Sequence, residues 1–229
     1  MSKVMLDEVA IMTETLYGPR RNPATGPADA LVVLLHGLGA DGADLIELAG
    51  PLGAVLPQAA FVAPDAPEPC DMAPYGRQWF SLQSREPAAL AAGADRAAPV
   101  LAAFIEAELA ARRLDASRLA LVGFSQGTMM ALHLGLRLDP APAAIVGFSG
   151  LLVAPERLAA ERHGTPPILL IHGTADDIVP FAMLDRAMAG LRAAGLAPAS
   201  LACPGIGHGI DEAGLAAAAT FLARCLGQG

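Results

Sequence analysis

The chain has little of several residue classes, and each shortage removes a class of protein. It has three cysteines, Cys70, Cys203 and Cys225, an odd number at wide spacing that fits neither a disulfide framework nor the paired spacing of a zinc site. Aromatic residues make up 4% of the sequence while hydrophobic residues make up 54%, so Ala, Val, Leu and Ile must build the core. We therefore expect reduced, mostly buried thiols and a core that is stable without disulfide or metal support.

Basic charge is also scarce. The 15 Lys and Arg residues are outnumbered by 23 Asp and Glu residues, which gives a formal net charge of -8. Phosphate binding needs a clustered basic surface, and only the pairs Arg20-Arg21 and Arg112-Arg113 approach one. This balance argues against a nucleic-acid partner.

Long apolar runs are missing as well, since Gly, Pro or charge interrupts each stretch before the roughly 18 residues that a spanning helix needs. The first twenty residues carry Asp7, Glu8 and Glu14, and they lack the basic start and unbroken apolar run of a secretion signal. We expect a soluble, cytoplasmic protein with no stable membrane insertion.

What is present is an alternation of two kinds of segment. Short apolar runs that end in Gly, Pro or Asp predict buried strands at residues 31–35, 60–62, 119–122, 144–146, 168–171 and 199–203. Longer Ala- and Leu-rich segments predict helices at residues 94–112, 126–138, 181–194 and 211–226. Residues 6–17 indicate a further strand or hairpin at the edge, and residues 18–29 a surface loop. The pattern predicts a single α/β domain over residues 1–229, with a mainly parallel sheet and helices on both faces.

The first candidate for chemistry is Ser125. It is the centre of the Gly-Phe-Ser-Gln-Gly run at residues 123–127, between a predicted strand and a predicted helix. A sharp turn at this point presents a serine hydroxyl above the sheet, and flanking glycines relieve backbone crowding. The alternative is that Ser125 only caps the helix that follows.

A serine nucleophile needs a base and an acid, which at such a turn follow it in the order serine, acid, histidine. His208, in a Gly-rich loop after the last predicted strand, is the histidine that satisfies this order. Asp176 and Asp177 both follow the strand at 168–171, and spacing alone does not choose between them. One would orient the imidazole, and the other would cap the next helix.

Acyl transfer also requires two backbone N–H donors for the developing oxyanion. One should come from Gln126, directly after the nucleophile. The other should come from the loop after the strand at 31–35, which nominates the N–H of Leu38 or Gly39. His36 would then brace this loop.

Two rival hypotheses use the same residues. The glycines of residues 37–42 match G-x-G-x-x-G after a strand, with Asp65 about twenty residues on, as in a dinucleotide-binding domain. Against it, Gly50-Pro51 cuts the following helix short. A non-catalytic α/β binding protein is the second rival, but serine, aspartate and histidine in the expected order speak against it.

Four segments together resemble the phospholipase/carboxylesterase family of α/β-hydrolases, which includes acyl-protein thioesterases and bacterial carboxylesterases. They are Leu-His-Gly-Leu-Gly at 35–39, Gly-Phe-Ser-Gln-Gly at 123–127, His-Gly-Thr-Ala-Asp-Asp-Ile-Val-Pro at 172–180 and Gly-His at 207–208. The resemblance implies the α/β-hydrolase fold and a triad of Ser125, His208 and Asp176, with the oxyanion donors on Leu38 and Gln126.

The resemblance extends to Trp79-Phe80, which is similar to the family's Trp-Phe pair beside the active site, although Ser81 stands where an aspartate often follows. It implies that Trp79, Phe80 and Leu38 line an acyl pocket and that the chain is closer to bacterial carboxylesterases than to protein depalmitoylases. The implied activity is hydrolysis of small carboxylic esters, lysophospholipids or acyl thioesters included, by a monomer or homodimer that needs no cofactor or metal.

Overall fold

The computed structural model describes residues 15–227, in which nine strands and seven α-helices form. The strands are β1 (Arg20–Arg21), β2 (Ala30–Leu35), β3 (Ala59–Val62), β4 (Glu68–Pro69), β5 (Arg77–Gln78), β6 (Leu119–Phe124), β7 (Ala144–Phe148), β8 (Ile168–Gly173) and β9 (Ala199–Cys203). The helices are α1 (Gly42–Leu45), α2 (Ala49–Val55), α3 (Pro87–Arg112), α4 (Gln126–Gly135), α5 (Pro155–Glu161), α6 (Ala182–Ala193) and α7 (Glu212–Leu226), with 3₁₀ turns at Ile46–Leu48 and Ala116–Arg118.

Seven of the strands form one central sheet in the order β1-β3-β2-β6-β7-β8-β9. Only β1 runs antiparallel to its neighbour, and the other five pairings are parallel. Helices cover both faces of a parallel sheet, so its strands are continuous apolar runs, as in β2, where all six residues are buried. Because the strands are parallel, the loops that follow β2, β6, β8 and β9 meet at one edge of the sheet.

Two apolar layers lie on the two faces of this sheet. Successive side chains of a strand point to opposite faces, so Leu31 and Val33 pack with α3, α4, α5 and α6, while Val32 and Leu34 pack with α1, α2 and α7. The predicted arrangement, a mainly parallel sheet with helices on both faces, is therefore confirmed, and so are its six parallel strands.

Helix α3 begins at Pro87, not at residue 94 as the Ala/Leu pattern predicts. Pro87 occupies the first helical turn, where its fixed φ is favourable and its missing N–H removes no helical hydrogen bond. A Cβ at Gly93 would lie 2.6 Å from the Phe80 ring, so this glycine permits close packing of α3 on Phe80. Helix α4 ends at Gly135, three residues before the predicted end at 138.

The antiparallel edge of the sheet also differs from the prediction. β1 lies inside residues 18–29, which were expected to form a loop, and its Arg20 and Arg21 pair with Val62 and Phe61. A strand of two exposed residues has no hydrophobic alternation, so the sequence carries no signal for it. The strand or hairpin expected over residues 6–17 lies outside the described residues except for 15–17, which are not in a strand.

Helix α3 is long and apolar enough by composition to cross a bilayer, although Gly, Pro and charged residues interrupt its apolar stretch as expected. It has 26 residues and contains an 18-residue window with a mean hydropathy of 1.4. Core helices of water-soluble proteins meet the same criterion, and Leu101 and Ile105 of α3 are buried in the layer it shares with the sheet. The sheet and helix α4 pack against the buried face of this helix.

Candidate active site

Ser125 lies in the turn that joins β6 to α4, with its backbone at φ 53 and ψ -114. A positive φ is strained for a residue with a side chain, and the surrounding backbone holds this one in place. The Ser125 N–H donates to the Phe148 carbonyl at 2.8 Å. A Cβ at Gly123 would collide with the Gly127 backbone, and one at Gly127 would collide with the Leu35 carbonyl, so both glycines of the run are sterically required.

The structure brings His208 and Asp176 together although they are 32 residues apart. His208 follows β9, Asp176 follows β8, and the His208 Nδ1–H donates to Asp176 Oδ2 at 2.8 Å. The other carboxylate oxygen accepts the backbone N–H groups of Ile178 at 3.0 Å and Val179 at 2.8 Å. Asp177, the alternative that spacing left open, is exposed, and within residues 15–227 its side chain forms no hydrogen bond or ion pair.

His172 is a member of this cluster that the sequence reasoning missed. Its Nε2 lies 2.8 Å from the Val179 carbonyl and 3.2 Å from Asp176 Oδ2, and its side chain is buried. The Nε2 must carry the proton that these two acceptors share, so His172 supports the acid rather than acting as a base. The sequence signal that could have identified it is spacing: His172 lies near the end of β8, four residues before Asp176 in the loop that follows.

Opposing effects set the protonation of Asp176. Burial raises the pKa of its carboxyl group, but the hydrogen bonds from His208, Val179 and Ile178 and the charge of His208 outweigh burial and hold the pKa below its usual value. Asp176 is therefore an anion at neutral pH. An anionic partner favours the tautomer of His208 with its proton on Nδ1, which leaves Nε2 free to accept a proton.

Ser125 and His208 line the same cavity, at the edge of the sheet where the loops after β6 and β9 meet. Within residues 15–227 no hydrogen bond joins the Ser125 hydroxyl to the His208 ring. Such bonds are often long in the absence of substrate and tighten when it binds. The Phe124 ring, with its centroid 4.9 Å from that of His208, packs against the imidazole and limits its movement.

Two backbone N–H groups near Ser125 are available as oxyanion donors. In the described chain neither the Leu38 nor the Gln126 N–H has a hydrogen-bond acceptor, whereas the Gly39 N–H donates to the Arg77 carbonyl at 2.9 Å. Of the two candidates in the loop after β2, Leu38 is thus the one with a free donor. Gln126 is the first residue of α4, where helical N–H groups lack partners.

His36 is fully buried and holds the Leu38 loop, as expected from the sequence. Its Nε2 accepts the Ala66 N–H at 3.0 Å, and its Nδ1 lies 2.7 Å from the Gly37 carbonyl. Burial lowers the pKa of His36, in spite of the opposing hydrogen bond to Gly37, so the ring stays neutral. A neutral ring with its proton on Nδ1 satisfies both contacts.

Trp79 and Phe80 are not part of the cavity wall, contrary to the expectation. Each is 1% exposed and belongs to the core beneath α3. The Trp79 indole N–H donates to the His36 carbonyl at 3.0 Å, and the buried side chain of Gln126 accepts the Trp79 N–H and donates to the Phe80 carbonyl. The rings of this pair are used for core packing, not for the cavity wall. Its hydrogen bonds support the Leu38 loop and the start of α4.

The cavity beside Ser125 has a volume of about 390 Å³. Leu38 lines it as expected, and most of the remaining wall is apolar. The apolar side chains of this wall include Leu82, Leu90, Met129, Leu151, Ile178 and Met183. The cavity fits an apolar portion of a small substrate, held next to a serine and a histidine.

The residues of the dinucleotide hypothesis serve the fold instead. Asp65 Oδ1 accepts the Gly42 N–H at 2.8 Å, and Asp41 caps α1, which has only four residues. The crossover from β2 to β3 thus has no full helix to receive a pyrophosphate. Over residues 15–227 no group of three or more metal-ligating side chains is found, and Cys70, Cys203 and Cys225 are free.

Comparison with known proteins identifies the family of the chain. The sequence model described as phospholipase/carboxylesterase matches residues 22–226. The chain is 29% identical over 187 residues to esterase YpfH of Escherichia coli (81% of this chain, 78% of that protein) and 30% identical over 178 residues to acyl-protein thioesterase 1 of Yarrowia lipolytica (72% and 77%). The crystal structure of esterase PE8 superposes with a TM-score of 0.88 at 45% identity, covering 93% of this chain and all of that one. The fold and the family resemblance expected from the motifs are confirmed, and the chain belongs to the phospholipase/carboxylesterase family of carboxylic ester hydrolases.

Proposed function

We propose that the protein hydrolyses small carboxylic esters through an acyl-enzyme intermediate on Ser125. His208 acts as the general base, Asp176 orients it, and the N–H groups of Leu38 and Gln126 bind the oxyanion. The observation that carries the proposal is the Asp176–His208 hydrogen bond of 2.8 Å at the mouth of an apolar cavity that Ser125 also lines.

In the acylation step the Ser125 hydroxyl oxygen attacks the ester carbonyl carbon, and its proton moves to His208 Nε2. The negative charge that develops on the carbonyl oxygen is stabilised by the two free N–H groups. Asp176 stabilises the imidazolium through the Nδ1–H bond and remains an anion itself. When the tetrahedral intermediate collapses, the alcohol leaves with the proton from His208.

Deacylation repeats these steps with water in place of the serine. His208 removes a proton from the water as the water attacks the acyl carbon, and it then returns that proton to the Ser125 oxygen. The products are a carboxylic acid and an alcohol, or a thiol when the substrate is a thioester. The same groups serve both substrates, because neither leaving group requires a further catalytic residue.

The first test is covalent labelling of Ser125. A fluorophosphonate should add one adduct to the wild type, detected by intact mass, and none to Ser125→Ala. Ser125→Ala and His208→Ala should each lower kcat for p-nitrophenyl esters by about 10⁴ to 10⁶. Ser200→Ala is the matched control, because Ser200 is exposed on β9 and should leave labelling and turnover unchanged. Full activity in a folded Ser125→Ala variant would refute the proposal.

A further inference from the structure

One residue in the wall of the cavity has a permanent charge. Arg85 lines the same cavity as Ser125 and His208, and in the described part of the chain it is the one Asp, Glu, Lys or Arg residue that does so. It lies on residues 81–86, between β5 and α3. Leu82 and Leu90 line the cavity on either side of it in the sequence, so the segment contributes both apolar surface and a cation to the substrate site.

The Arg85 guanidinium has no partner of its own. Within residues 15–227 it forms no ion pair or hydrogen bond, and it is exposed. Other arginines of the protein are engaged with carboxylates: Arg112 with Glu108, Arg118 with Asp29, and Arg137 and Arg157 with Glu161. An unpaired cation beside an apolar cavity is available to an anionic group of a ligand that enters the cavity.

Local hydrogen bonds shape the segment that carries Arg85. The Ser81 hydroxyl accepts the Gln83 N–H at 3.3 Å, and the Ser84 hydroxyl accepts the Glu86 N–H at 3.4 Å. Turns of this kind fix a short loop without long-range contacts. The neighbouring acid, Glu86, is exposed and is not part of the cavity wall, so it leaves the guanidinium free.

We propose that Arg85 binds an anionic group of the substrate at a distance from the scissile ester, so that the preferred substrates are esters that also carry a carboxylate. A guanidinium binds a carboxylate through two parallel N–H bonds, and the apolar wall would contact the chain between the two functional groups. This inference rests on the proposed function. The alternative is that the stem of Arg85 only covers apolar surface while its head stays in water.

The test compares esters of matched size that differ in charge. Mono-p-nitrophenyl adipate and p-nitrophenyl heptanoate differ in the charge of the acyl part, and 4-carboxyphenyl and 4-acetylphenyl pentanoate differ in the charge of the alcohol part. Arg85→Met keeps the apolar stem and removes the charge. It should lower kcat/KM for the anionic member of at least one pair by about three- to tenfold more than for its neutral partner.

Three controls define the outcome. Arg85→Lys should retain most of the preference, and Arg96→Met, which removes an exposed charge of α3 outside the cavity, should change nothing. Added salt should weaken turnover of the anionic ester in the wild type and not in Arg85→Met. If Arg85→Met changes anionic and neutral esters equally, or changes neither, the inference is wrong while the proposed function stands. No turnover of any ester would refute the proposed function and this inference with it.

Discussion

Replacing Asp176 by asparagine should abolish most of the activity, while the same change at Asp177 should not. The two residues are adjacent, yet Asp176 is buried and Asp177 is exposed. Four donors converge on the Asp176 carboxylate: the Nδ1–H of His208, the Nε2–H of His172, and the N–H groups of Ile178 and Val179. An asparagine at this position has one oxygen and one NH₂ group in place of two acceptors.

Either orientation of that amide is unfavourable. If the NH₂ group faces Ile178 and Val179, donors meet donors, and buried N–H groups lose their acceptor. If it faces His208, the imidazole must carry its proton on Nε2, where it can no longer accept the proton of Ser125. We expect kcat to fall by about 10⁴, which is the size of the effect in a serine protease triad and corresponds to about 5 kcal/mol of transition-state stabilisation.

The assay is steady-state hydrolysis of a p-nitrophenyl ester together with the rate of fluorophosphonate labelling. Both should fall in Asp176→Asn, since both require the base, and Asp177→Asn should stay within about threefold of wild type, because it alters only an exposed charge. Circular dichroism establishes that each variant is folded. A folded Asp176→Asn variant within tenfold of wild type, or a larger loss for Asp177→Asn, would show that Asp176 is not the acid of a triad.

Two further predictions concern stability, measured by urea unfolding with the fluorescence of the single tryptophan. Gln126→Leu should lower the free energy of unfolding by about 2 to 5 kcal/mol, because it leaves the buried backbone groups of residues 79–80 without hydrogen-bond partners. The control is Gln83→Leu at an exposed site, which should leave the free energy of unfolding unchanged. Burial and the guanidinium of Arg137 lower the pKa of His133 to about 4, below its unfolded value of 6.5. The neutral His133 ring therefore contributes fully to the free energy of unfolding above pH 6.5, and this contribution is lost as the pH falls toward 4. The wild type should lose about 2 kcal/mol more than His133→Gln between pH 7 and 5, and exposed His163→Gln should behave as wild type. Equal losses in wild type and His133→Gln would contradict this pKa assignment.

The central strands β2, β3, β6, β7 and β8 could be predicted because they are buried on both faces. Such strands are short, continuous apolar runs that end in Gly, Pro or Asp, and this signal survives in a sequence dominated by alanine. β1 and the β4–β5 ribbon could not be predicted, since a two-residue strand has no periodicity. The start of α3 was missed because Gly93 looks like a helix breaker in sequence, although it is required by the packing of Phe80.

The candidate triad could be predicted for a related reason. In a parallel sheet every strand delivers its following loop to the same edge, so chain order alone brings Ser125, Asp176 and His208 close together. Order does not say which of two adjacent aspartates faces the imidazole, because that depends on the hydrogen bonds of Ile178 and Val179. Nor does it reveal His172, whose role depends on the side chain of Asp176.

The cavity wall follows no such rule, and this is where the expectation for Trp79 and Phe80 was wrong. The rings of an aromatic pair near an active site can face the substrate or the core, and the sequence of the pair does not distinguish these two orientations. Here Gln126 fixes the choice, since its side chain holds the backbone of the pair and turns both rings into the core. The wall is then left to residues such as Leu82 and Arg85, on a loop whose sequence has neither period nor motif, and Leu90 on α3. The proposed substrate preference thus depends on the loop at residues 81–86, which lies outside the four motif segments, so the motifs that identify the family carry no information about it.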